Sequence, residues 1–315
     1  MSYVGPDFDP PRPRRSPLRR TLTVVLAVLV PGALLGWLVW EALGGSDDGG
    51  SGRGTGAASS AGGSASAGGE PDDRPGRSAS QPPTASASGG AGPLAGKVVV
   101  VDPGHNPANV QHTAEINRKV DIGTHTKECD TTGTATNSGY SEAAFTLDVA
   151  HRLRALLERQ GATVKLTQDA DRPYGPCVDE RARIGNSARA DAVVSVHADG
   201  AGAGQRGFHV ILPGAVHAGA ADTRAIVAPS RKLGRLIADD FAESTDTAPS
   251  NYVGGGSGLV TREDLGGLNL STVPKVFIEC GNMRDSKDAA LLTSGAWRQR
   301  AAQGISEGIV SFLRG

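Results

Sequence analysis

The sequence predicts a single α/β domain with a mostly parallel sheet, carried by residues 97–315. Three observations lead there. Short runs rich in β-branched residues alternate with helical patterns of about 10–20 residues, the signature of strand–helix–strand units. Residues 44–96, by contrast, hold much of the chain's Gly, Ser and Ala and almost no large apolar side chain. Such a stretch cannot bury enough surface to offset its ordering entropy. About 220 residues then remain for the domain, enough for a substantial core.

The elements follow in order. Lys97–Val101 (KVVVV) reads as a buried strand ending in the turn Asp102-Pro103-Gly104-His105. Ser141 suits an N-cap, and Glu142–Gln160 carries Phe145, Val149, Leu153, Leu156 and Leu157 at helical spacing before Gly161. Thr163–Thr167 alternates as a strand, Glu180–Ala188 as a helix, and Asp191–His197 (DAVVSVH) as another apolar strand. Gly207–Leu212 is a fourth strand, Arg231–Ser244 an amphipathic helix, and Pro274–Glu279 (PKVFIE) a fifth strand. Asp288–Leu313 is helical with a break near Gly295. Two stretches, Asn106–Tyr140 and Gly200–Ala228 outside its strand, read as long loops, which in compact domains are commonly functional.

The N-terminus speaks to location. Residues 1–20 are basic, with Arg12, Arg14, Arg15, Arg19 and Arg20. Thr21–Trp40 then gives 20 uncharged residues, TLTVVLAVLVPGALLGWLVW, the length of a spanning helix. The arginines put the N-terminus in the cytoplasm, and Trp37 and Trp40 mark the far interface. The expected layout is a basic segment 1–20, a single-pass anchor 21–40, a disordered tether 41–96 and an extracytoplasmic domain 97–315. A cleaved signal peptide is the alternative for residues 21–40, and it makes the domain secreted. The formal net charge of −1 gives no sign of a nucleic-acid partner. A monomer is the default expectation.

In an oxidising compartment the three cysteines allow one disulfide and one free thiol. Of the three cysteines, Cys129 and Cys177 lie in polar, loop-like sequence and are the expected disulfide. Cys280 follows Glu279 on a buried strand and reads as an inert, packed thiol.

Three polar residues fall at or just beyond strand ends: His105, His197 and Glu279. Ligands of open α/β sheets bind at the carboxyl ends of the strands, so one crevice can collect all three. Glu142, opening its helix, can reach the same place. Two histidines and one carboxylate form a catalytic zinc set with a position left open for water. A second carboxylate is then needed to move a proton from water to the leaving nitrogen. Spacing alone is weak support, because the candidate ligands lie far apart and no H-E-x-x-H is present. His112, His125, His209 and His217 lie in or near the long loops and read as ordinary surface residues, and His151 as structural. Arg181 and Asn186 read as bracing the sheet. Asn251, Tyr252 and Arg262, around the run Gly254-Gly255-Gly256-Ser257-Gly258, are candidates for substrate contact.

The ordered pieces Val100–His105 (VVDPGH), Gly139–Glu142 (G-x-x-E), Glu180–Asn186 (E-R-x-x-x-x-N), Ala190–Ala198 (A-D-x-x-x-S-x-H-A) and Val273–Asn282 (V-P-x-V-x-x-E-x-G-N) resemble the zinc N-acetylmuramoyl-L-alanine amidases of amidase type 3. The resemblance covers residues 97–313. It implies a twisted six-stranded sheet flanked by helices, and Zn2+ as cofactor held by His105, Glu142 and His197. It also implies a catalytic role for Glu279 and peptidoglycan as substrate, cleaved between N-acetylmuramic acid and L-alanine. Some positions depart from the family pattern: Gln168 where Arg is common, Asp199 where Asn is usual, and Cys280-Gly281-Asn282-Met283 after the glutamate. Two other readings remain open: a zinc peptidase acting on the stem peptide, and a non-catalytic cell-wall regulator that keeps the fold.

Overall fold

Side chains along a strand alternate between the two faces of its sheet, and that alternation organises this domain. In the computed structural model, described here for residues 92–315, a six-stranded sheet runs in the order β4-β1-β5-β10-β6-β9. The strands are β1 (Val98–Pro103), β4 (Thr163–Leu166), β5 (Ala192–Asp199), β6 (His209–Pro213), β9 (Leu259–Arg262) and β10 (Lys275–Asn282). Two small hairpins supply the rest, β2 (Lys119–Asp121) with β3 (Thr126–Glu128), and β7 (His217–Ala218) with β8 (Ala221–Asp222). Within the six-stranded sheet all pairings are parallel except β10 with β6.

One face of the sheet is apolar along its central strands. Val99, Val101, Val194, Val196, Val276, Ile278, Val210 and Leu212 pack in a single core with three long helices. These are α2 (Glu142–Arg159), α4 (Arg224–Thr245) and α7 (Gly295–Arg314). Phe145, Val149 and Leu153 come from α2, Leu233, Ile237 and Phe241 from α4, and Trp297, Ile305 and Ile309 from α7. Short helices α1 (Thr113–Ile116), α5 (Gly266–Asn269) and α6 (Ser286–Leu292) complete the domain, with α3 (Val178–Ser187) behind the opposite face.

That opposite face is partly polar. Asp102, Ser195, His197, Asp199, Lys275 and Glu279 alternate with the core residues just named. Asp102 and Lys275 are both fully buried, joined at 3.0 Å. Asp102 also accepts hydrogen bonds from Thr167 at 2.6 Å, Ser195 at 2.9 Å and Arg181 at 2.7 Å. Arg181 reaches on to Asp130 at 2.9 Å. Two cations and two carboxylates thus cancel inside the protein, the condition under which buried charge is tolerable. Despite burial, Lys275 and Arg181 hold the Asp102 carboxyl well below its usual range.

Several sequence expectations are met and some are corrected. The mostly parallel six-stranded sheet is present, and its sixth strand is Leu259–Arg262, a segment without a strand pattern of its own. The helix expected from Arg231 begins at Arg224 and contains Pro229. Proline reads as a helix stop, yet here only one backbone hydrogen bond is lost near the first turns. The tether expected to run through residue 96 ends sooner, since Leu94 is fully buried in the main core and its amide donates to the Gln160 carbonyl at 2.9 Å. One leucine among Gly, Ala and Pro gives no periodic signal. His209, read as a surface residue, is buried on β6 at 5% exposure. His151 is exposed and pairs with Asp169. Asn186 braces the chain before β10, donating to the Leu270 carbonyl and accepting from the Thr272 amide. Cys129 and Cys177 are bonded, and Cys280 is a buried free thiol. The proposed basic segment, anchor and most of the tether lie outside the described residues. Among the described residues, no helix is long and apolar enough to cross a membrane.

Candidate metal centre

The carboxyl end of β1 delivers His105. Its backbone is left-handed, with φ 62°, a conformation that a non-glycine residue keeps only when its surroundings fix it. Gln168 and Arg181 do so, donating to the His105 carbonyl at 2.9 and 3.1 Å. The turn also needs Gly104, because a Cβ there would stand 2.3 Å from Cε1 of His197. On the imidazole, Nδ1 lies 3.1 Å from the Thr131 carbonyl and 3.4 Å from Asp130. A proton on Nδ1 therefore leaves Nε2 as the open, electron-donating atom.

Glu142 is the first residue of α2, where a carboxylate is favoured by the helix dipole. Ser141 caps that helix by accepting from the Ala144 amide at 3.3 Å. Backbone amides orient the Glu142 carboxylate, Thr134 donating to Oε2 at 2.9 Å and Ala198 to Oε1 at 3.2 Å. Gly133 passes close by. A Cβ on it would lie 2.7 Å from the His105 ring and 2.9 Å from Glu142 Oε2. His197 comes from β5, stacked on Phe277 with 5.2 Å between ring centres.

The three residues that spacing alone could not connect meet at one point. His105 Nε2 is 3.1 Å and His197 Nδ1 2.9 Å from Glu142 Oε1. The three donor atoms all lie within 4.8 Å of one another. Tetrahedral zinc with bonds of roughly 2.0–2.1 Å holds its ligand atoms about 3.3 Å apart, so this donor set fits that ion in spacing and in chemistry. The electrostatics agree. Burial opposes a charged His105, but Glu142 and then Asp130 outweigh it and raise its pKa to about 10. Burial likewise opposes an ionised Glu142, yet the two histidines hold it well below the usual carboxylate range. A site so eager for positive charge beside its carboxylate suits a cation.

Glu279 is the Cα partner of His197 in the β10–β5 register and lines the same cleft as His105, Glu142 and His197. Its pKa is pushed well above the ordinary value, first by burial, then by Glu142 and Asp199. Asp199 and the exposed Arg262 also line this cleft. The Tyr252 hydroxyl donates to Asp199 at 2.7 Å. Of the residues picked out for substrate contact, Arg262 lines the cleft and Tyr252 reaches its edge through Asp199, whereas Asn251 is engaged with Arg206 and Gly204. Sequence reading missed Asp130, which contacts both His105 and Arg181. Its one local signal is its place beside Cys129.

A cleft at the ends of parallel strands, gathering two imidazoles and two carboxylates, defines the layout of an α/β enzyme with a candidate metal site. The family model described as N-acetylmuramoyl-L-alanine amidase (Amidase_3) matches residues 99–311, and the chain belongs to that family. An N-acetylmuramoyl-L-alanine amidase of Mycobacterium tuberculosis is 42% identical over 238 residues, 75% of this chain and 94% of that protein. The crystal structure of the amidase Ami1 from Mycobacterium smegmatis superposes with a TM-score of 0.64 at 42% identity, covering 70% of this chain and 98% of that one. Ami1 from Mycobacterium abscessus gives 0.64 at 41% identity, covering 70% of this chain and all (100%) of that one.

Proposed function

We propose that the protein is a zinc-dependent amidase that hydrolyses the bond between the lactyl group of N-acetylmuramic acid and L-alanine in peptidoglycan. The observation that carries this reading is the convergence of His105 Nε2, Glu142 Oε1 and His197 Nδ1 beside Glu279 in one cleft. Family membership supports the choice of substrate. Two imidazoles and a carboxylate would hold the ion, which supplies a Lewis acid for the scissile carbonyl and its attacking water.

The remaining work falls to the protein. Glu279 takes a proton from the attacking water and returns it to the departing amide nitrogen, so that one carboxylate and one amine leave the site. Its raised pKa suits that task, since a carboxyl held nearer neutrality both accepts and gives up a proton readily. Phe277, stacked on His197, and the Thr131 carbonyl, facing His105, keep the two rings in their orientations. Arg262 and the Tyr252–Asp199 pair border the cleft where the glycopeptide enters.

The cellular setting in this reading is extracytoplasmic, with residues 21–40 as a membrane anchor. The Cys129–Cys177 bond supports an oxidising compartment. The test is Glu279→Gln in the zinc-loaded protein, assayed on purified peptidoglycan. The variant should keep its zinc and lose at least about 100-fold in turnover, the lower end of general acid–base contributions. Turnover near the wild-type value would remove Glu279 from the mechanism.

A further inference from the structure

A row of three side chains crosses neighbouring strands: His197 on β5, Glu279 on β10, His209 on β6. The register pairs Glu279 with His197 on its parallel side and with His209 on its antiparallel side. Directly opposed residues share a face, with Cβ atoms about 4.5–5.5 Å apart. Glu279 therefore stands between a proposed zinc ligand and a second imidazole.

That second imidazole is unexplained by packing. His209 is 5% exposed, and its Nδ1 is sealed from solvent without a hydrogen-bond partner. Oε2 of Glu279 is sealed and unpartnered in the same way. Leaving a buried polar atom unsatisfied costs about 1–3 kcal/mol. Two such atoms on adjacent side chains, one a donor in the appropriate tautomer and one an acceptor, form a complementary pair. The groups around His209 do not offer Nδ1 another partner. The Tyr252 ring meets it edge-on at 5.9 Å, and that hydroxyl is committed to Asp199. Arg262, on the strand beyond β6, binds Asp264 at 2.8 and 2.6 Å.

We propose that His209 is a positioning residue for the reaction: its Nδ1–H donates to Oε2 of Glu279, leaving Oε1 as the oxygen that takes and returns the proton. The contact requires the two side chains to turn about their terminal torsions while the strand register stays as it is. A carboxyl tied at one oxygen presents the other in a single direction, and orientation of this kind contributes directly to rate. Burial lowers the His209 pKa, with Arg262 adding to it and Asp199 opposing. The ring is thereby kept neutral, the form in which one nitrogen donates and the other does not.

The inference rests on the proposed role of Glu279. The experiment compares zinc-loaded wild type, His209→Phe, His209→Gln and Glu279→Gln on purified peptidoglycan, reading kcat, KM and zinc per chain. His209→Phe should lower kcat about 10- to 100-fold, the range for partners that orient a reactive group. KM should stay within about twofold and the zinc content should not change. His209→Gln, which restores an N–H donor, should recover much of that loss. Wild-type kcat in His209→Phe would overturn the proposal. So would a parallel loss of zinc, or a glutamine variant as slow as the phenylalanine one. If Glu279→Gln is inactive while His209→Phe is unimpaired, only the His209 proposal fails. If Glu279→Gln is active, the proposed role of Glu279 fails as well.

Discussion

Opening the Cys129–Cys177 bridge should cost the domain much of its thermal margin. The bond joins residues 48 apart in sequence. It fastens the β2–β3 hairpin to the start of α3, since Cys177 is the N-cap of that helix. In the chain-entropy treatment, cross-linking a loop of this length removes disorder from the unfolded chain worth about 4 kcal/mol at 25 °C. The native contacts at the bridge remain without it, because the Cys129 amide donates to Arg118 and the Val178 amide to Cys129, both at 2.7 Å. The effect therefore acts mainly on the unfolded state. For a domain of about 220 residues each kcal/mol moves Tm by about 2–4 °C, so Cys129→Ala with Cys177→Ala should lower Tm by about 8–16 °C. Scanning calorimetry on zinc-loaded wild type and double variant, in buffer without reductant, measures this directly. Reductant should bring wild type down to the variant's Tm and leave the variant where it is. A fall of less than about 2 °C would refute the argument, as would a variant that reductant destabilises further.

Two more outcomes follow from the same geometry. Asp102 and Asp130 both have depressed pKa values, Asp102 through Lys275 and Arg181, Asp130 through Arg181 and His105, each against burial. Carboxyls of this kind contribute stability that is complete above the ordinary carboxyl pKa of about 4 and is lost as pH falls through their lower folded values. The urea midpoint should hold between pH 5 and pH 7 and drop steeply below about pH 4; a flat profile down to pH 2 would count against the buried network. Gly104→Ala places a methyl group 2.3 Å from Cε1 of His197, so the variant should fold yet bind zinc at least about 10-fold more weakly, as when an orienting partner is lost. Unchanged affinity would mean that the turn has room which the structure denies.

The fold was legible where patterns are local. In DAVVSVH and PKVFIE the apolar face and the functional face alternate, which makes both strands legible, and the structure carries them further, to Asp199 and Asn282. Four-residue Leu259–Arg262 was missed because no period can establish itself between a glycine run and Glu263. It becomes a strand only by pairing with β6. The candidate site divides in the same way. His105, His197 and Glu279 announce themselves at strand ends, and Glu142 at a capped helix start. Their meeting at one point depends on register, which no single segment carries. Register also explains why His209 reads as a surface residue, since its neighbour Glu279 is distant in sequence and adjacent only through the β6–β10 pairing. Lys275 and Asp102, 173 residues apart, meet across β5, the strand that lies between theirs.

The most direct test of the proposed activity is product analysis with controlled metal content. Purified peptidoglycan is incubated with the protein as isolated, after exhaustive chelation, and after zinc is restored. The proposal requires about one zinc per chain from its three protein ligands. Free lactyl ends on the glycan and new L-alanine amino termini on the peptides should appear only in the metal-loaded samples. Cleavage that survives complete metal removal would contradict the zinc mechanism, and release of D-amino acids without lactyl ends would contradict the bond assigned here.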